Sequence, residues 1–67
     1  MFTYKPLWKL LIDHDMNKSE LKRTLGLSSS TMTRLVHNEY VSLETLDAIC
    51  TEFGCTPNDV IEHIPPE

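Results

Sequence analysis

One local frame recurs five times in this 67-residue chain and constrains its fold more than any other feature. A small hydroxyl or amide residue is preceded by an apolar residue and followed, four positions on, by another. Thr3 is framed by Phe2 and Leu7, Asn17 by Met16 and Leu21, Ser28 by Leu27 and Met32, Ser42 by Val41 and Leu46, and Thr56 by Cys55 and Val60. This is the signature of a helix start. The small side chain accepts a hydrogen bond from one of the first free N–H groups, and the flanking apolar pair packs together as a staple. Glu20 and Asp59 stand where a carboxylate reaches back to complete a capping box, and Pro57 stands at a first helical position, where a missing N–H costs nothing.

Stop signals follow the starts. Gly26 and Gly54 close two of the apolar patterns, and Pro65-Pro66 closes the last. The reading is helices over 4–15, 18–25, 29–37, 43–53 and 57–63, with Pro6 in the first turn of the first. No window alternates in the manner of a strand. The 3.6-residue period assigns the core. Leu7, Leu10, Leu11 and His14 share a face of helix 1, with Trp8 and Ile12 beside it. Leu21 and Leu25 follow on helix 2, then Met32, Leu35 and Val36, then Leu46, Ile49, Cys50 and Phe53, and last Val60, Ile61 and Ile64. The expectation is an all-α cluster forming a single domain over residues 1–67.

A chain of this size buries only about 60% of the surface its unfolded form exposes, enough for one modest core. The longest apolar run, Leu10-Leu11-Ile12, is far short of a membrane span, and no secretory signal pattern opens the chain. A cytoplasmic location is therefore expected. Two cysteines are too few for a secreted disulfide scaffold, so Cys50 and Cys55 read as reduced thiols.

The net charge of −4 argues against nucleic acid until its distribution is read. Lys5, Lys9, Lys18, Lys22, Arg23 and Arg34 all lie within residues 1–37, against Asp13, Asp15 and Glu20, so that span carries +3 and the remainder −7. A local basic face attracts a polyanion despite an acidic total.

The basic half contains an unusual helix. Ser29, Ser30, Thr33, Arg34 and His37 make one continuous polar face free of carboxylates, and only Gly26, Leu27 and Ser28 separate helix 3 from helix 2. Two short helices joined by a tight glycine turn are the helix-turn-helix pattern, whose second helix enters the major groove with its N-terminal residues against the bases. Small hydroxyls there let the backbone approach the duplex and still exchange hydrogen bonds with it. Arg34 has the planar fork for guanine O6 and N7. Lys18 and Ser19 open helix 2 with an ammonium and free N–H groups suited to phosphates.

The chain resembles the Cro and cI repressor-like helix-turn-helix domains, the XRE family, and within them the short stand-alone members of Gram-positive bacteria and their mobile elements. The resemblance runs through nearly the whole chain and is strongest in NKSELKRTLGLSSSTMTRL, VSLETLDAICTEFGC and TPNDVIE. It implies the five-helix lambda-repressor-like fold and operator binding, commonly as dimers. By motif position it implies base contacts from Ser29, Ser30, Thr33 and Arg34, and backbone contacts from Lys18, Ser19 and the region of His37, Asn38 and Ser42, with Ser28 at the helix cap. The family often carries Gln at Lys18 and at the first recognition position, and Ala at Lys22. A Gln-based adenine readout is therefore not expected, and Lys22 must snorkel outward or hold helices 2 and 3 apart.

The expected function is sequence-specific binding of a double-stranded DNA operator by a transcriptional regulator acting as a repressor, as a weak or DNA-assisted homodimer, without cofactor or small-molecule ligand. The alternative is a protein-interaction module on the same fold, an antitoxin or anti-repressor, suggested by the acidic C-terminal half and by Phe2, Tyr4, Trp8 and Tyr40. An enzyme is not expected, since no nucleophile–base or phosphate-loop pattern is present. Cys50, Cys55 and His63 match no zinc spacing, and no metal is expected.

Overall fold

The computed structural model describes residues 1–66. A short strand β1 (Phe2–Thr3) leads into helices α1 (Lys5–Asp13), α2 (Lys18–Leu25), α3 (Ser29–Val36) and α4 (Leu43–Phe53). A single 3₁₀ turn (Pro57–Asp59) and a second strand, β2 (Glu62–His63), complete the described chain.

Three of the five starts form as the sequence predicts. Asn17 accepts the Glu20 N–H at 2.8 Å while the Glu20 carboxylate accepts the Asn17 N–H at 3.2 Å, a complete capping box. Ser28 and Ser42 accept from the Thr31 and Thr45 N–H groups at 3.1 and 3.2 Å. Their staple partners all join the core layer: Met16 with Leu21, Leu27 with Met32, and Val41 with Leu46.

The first and last starts differ. Tyr4, not Thr3, occupies the cap position of α1, and its side chain makes no capping bond. Thr3 is buried instead, its Oγ1 accepting the Lys5 N–H at 3.4 Å. The Leu7 N–H, a donor that the first turn of a helix leaves free, goes to the carbonyl of Val60 at 3.2 Å. The C-terminal segment thus caps α1.

The expected fifth helix is a single 3₁₀ turn. Asp59 still accepts from both the N–H and the hydroxyl of Thr56, at 3.2 and 3.3 Å. The turn closes with the Val60 and Ile61 N–H groups both on the Pro57 carbonyl, each at 2.9 Å. Few residues separate Thr56 from Pro65-Pro66, and a residue before proline is driven to extended backbone. Residues 62–63 instead pair antiparallel with β1, Phe2 opposite His63 and Thr3 opposite Glu62. These two strands correct the expectation that the chain has none. They are too short for a period-2 signal to register.

The buried core is Tyr4, Leu7, Leu11, Leu21, Leu35, Ile49 and Val60, so each helix and both chain ends contribute to it. Leu7, Leu21, Leu35, Ile49 and Val60 are fully inaccessible. Three apolar residues assigned to the core are exposed: Ile12 at 74% and Val36 at 47%, because α1 and α3 are too short for neighbours to cover more than a narrow stripe, and Ile64 at 38%, which lies beyond β2 and not on a helix. His14 is exposed too, yet its ring lies 4.9 Å from that of Phe53. Among the described residues no helix is long and apolar enough to cross a membrane.

Candidate DNA-binding face

Helices α2 and α3 are joined by Gly26, Leu27 and Ser28 alone. Gly26 takes the left-handed backbone at φ 64°, which L side chains adopt only at a cost. Its N–H and that of Leu27 return to the carbonyls of Arg23 and Lys22, closing α2. Leu27 turns into the core layer, and Ser28 starts α3 at once. Leu21 and Leu35, both fully buried, pin the two helices to the core from below.

That anchoring leaves one side of α3 in solvent. Ser29, Ser30, Thr33, Arg34 and His37 are all exposed, His37 as the residue that caps the helix end. No carboxylate interrupts them. The hydroxyls are ordered rather than loose. Ser28 donates to Thr31 Oγ1 at 3.0 Å and lies 3.3 Å from Ser30 Oγ. Thr33 donates to the carbonyl of Ser29 at 2.9 Å, and Ser29 Oγ accepts from the Lys22 ammonium at 2.7 Å. Lys22 therefore snorkels, bridging α2 to the first turn of α3.

The remaining residues of the candidate face surround this helix. Lys18 holds its ammonium over the Trp8 ring, 4.6 Å from the centroid, an attraction between cation and ring quadrupole that fixes the charge at the start of α2. Ser19 is exposed beside it. Ser42 is exposed at the cap of α4, 3.1 Å from Thr45 Oγ1. Asn38 is arranged differently from the others. It is half-buried with φ 58°, and its side-chain oxygen accepts the Tyr4 N–H at 3.1 Å and the Thr3 hydroxyl at 3.3 Å. That oxygen faces the protein, and among the described residues the carboxamide N–H₂ makes no hydrogen bond.

A face of hydroxyls, one guanidinium and flanking ammonium groups, carried on a helix after a three-residue turn, has the chemistry to exchange hydrogen bonds with base edges and phosphates. The model of the Cro/C1-type HTH DNA-binding domain matches residues 6–66 of the chain. The chain belongs to that family. In this Cro/C1-type domain, α2 and α3 are the helix-turn-helix pair. The chain is also similar to a solved structure, that of the transcriptional regulator VanUg, at 49% identity with a TM-score of 0.93, over 97% of this chain and 87% of that one. A search of curated proteins finds no match.

Lys22 is the residue on this face that the motif reading left out, because the family often has Ala there. Its spacing of seven residues before Ser29, across a tight turn, is the only signal in the sequence of the contact it makes. Away from the face, Cys50 and Cys55 are free and half-buried near one another. Burial pushes the Cys55 thiol pKa up, and the neighbouring Cys50 pushes it further.

Proposed function

We propose that this protein is a sequence-specific regulator of transcription that binds double-stranded DNA and acts as a repressor, with residues 1–67 working as a single domain in the cytoplasm. Helix α3 enters the major groove. Ser30 and Arg34 make the main direct base contacts, with Ser29 and Thr33 beside them. Lys18, Ser19, Ser28, His37, Asn38 and Ser42 contact the backbone of the duplex. No cofactor and no catalytic step is required. The observation that carries the reading is the exposed, carboxylate-free face of α3 directly after a three-residue turn. Membership of a DNA-binding family and similarity to a transcriptional regulator support it.

The protein acts as a homodimer on a palindromic site, with half-sites about 34 Å apart. Exposed apolar side chains support self-association, among them Leu43 at 81% exposed, with Met1 at 62% and Tyr40 at 73% beside Arg34 of α3. Tyr40 and Leu43, set in the acidic half of the chain, favour the second reading, a protein-interaction module with little DNA affinity. Selection of bound duplexes from a random pool, then titration of the winner at two salt concentrations, separates the two. A palindromic winner whose affinity falls with salt supports the regulator. No enrichment at any salt supports the interaction module.

A further inference from the structure

We propose that Lys22 determines base preference at the DNA face, by holding Ser29 as a hydrogen-bond donor toward an acceptor-bearing base edge, while Thr33 one turn later presents an acceptor. The inference rests on the DNA-binding reading and deepens it.

A serine hydroxyl offers one hydrogen and two lone pairs, and alone it accepts either kind of base group. Here that ambiguity is removed. The Lys22 ammonium has donors only, so at 2.7 Å it occupies a lone pair of Ser29 Oγ. The Ser29 hydrogen must then point away from Lys22. The cation beside it repels any approaching amino group and attracts an oxygen or ring nitrogen. An edge with two adjacent acceptors answers this arrangement best, and in the major groove that is guanine, through N7 and O6.

Thr33 has the opposite polarity. Its hydroxyl hydrogen is spent on the Ser29 carbonyl at 2.9 Å, leaving lone pairs and a methyl group. Those suit an amino group, adenine N6 or cytosine N4, or the methyl of thymine. Ser29 and Thr33 are four apart and share one side of α3, so donor and acceptor stand one helical turn apart. Such a pair has a direction and distinguishes the two orientations of a half-site.

The test is selection of bound duplexes from a random pool with the wild-type chain, Lys22→Met, Ser29→Ala, the Lys22→Met/Ser29→Ala double variant and Thr33→Val, each followed by competition between the winner and its single-base variants. Ratios between duplexes do not depend on the folded fraction, so a small loss of stability leaves the readout intact. The expected result is that Lys22→Met and Ser29→Ala each flatten preference at the same base pair by about tenfold, with no further loss in the double variant. Thr33→Val flattens a different pair. The proposal is overturned if Lys22→Met weakens all duplexes equally, or if Lys22→Met and Ser29→Ala act at different base pairs. Failure of the wild-type chain to enrich any duplex overturns the DNA-binding reading as well, and is distinct from both of those results.

Discussion

The phenol of Tyr4 donates a 2.7 Å hydrogen bond to the backbone carbonyl of Glu39, joining the start of the chain to the loop that follows α3 across 35 positions. The ring itself is buried at 3% exposure. With the two bonds that Asn38 accepts from Thr3 and Tyr4, this contact sets where the loop after α3 lies. Several consequences of that and of neighbouring contacts are open to measurement.

Tyr4→Phe keeps the buried ring and removes the donor, leaving the Glu39 carbonyl short of a partner. The expected cost is about 1 kcal/mol in chemical denaturation. Burial also raises the pKa of the Tyr4 phenol. The phenol's folded value therefore lies above the unfolded value near pH 10. Its contribution to stability is fully present below about pH 10 and is lost as pH rises through the folded value. Melting curves of the wild-type chain should fall in this alkaline range more steeply than those of Tyr4→Phe.

Asn38 combines a left-handed backbone with an inward-facing acceptor. Asn38→Gly keeps the backbone conformation and loses the acceptor, whereas Asn38→Ala loses both. Urea titrations should rank wild type above Asn38→Gly, and Asn38→Gly above Asn38→Ala by about 1 kcal/mol. Equal stability of the two variants would show that φ at this position carries no cost.

The capping box of α2 is local and solvent-exposed. Asn17→Ala should lower stability by about 1 kcal/mol in thermal melts. Glu20→Ala should cost less, because it removes only the return bond to the Asn17 N–H, which water can satisfy.

Arg34 and Lys18 are assigned different tasks on the DNA. Arg34→Ala should weaken the selected site far more than unrelated duplexes, by about 1–3 kcal/mol. Lys18→Ala should weaken all duplexes alike and reduce the slope of log affinity against log salt by about one unit. Fluorescence anisotropy on specific and scrambled duplexes over a salt series reads both. Identical effects of the two variants would refute the division.

Much of the helical frame is legible in the sequence because its causes are local. Asn17, Ser28 and Ser42 each satisfy a donor three residues away, and their staples span five positions, so the information sits inside a short window. The polar face of α3 is legible for the same reason, since helical periodicity alone places Ser29, Ser30, Thr33 and Arg34 together. Tertiary structure decided everything that depends on distant partners. A residue before proline and a strand partner sixty positions away turned an expected helix at 57–63 into one 3₁₀ turn and β2. The Val60 carbonyl replaced a local cap on α1. Asn38 turns its oxygen inward to accept from Thr3 at the end of β1 and from Tyr4 at the cap of α1. Lys22 reached Ser29 only because the turn at Gly26 folded α2 back against α3. Caps and periodicity are set by neighbours in the chain, whereas these contacts exist only once the core has brought distant segments within hydrogen-bonding reach.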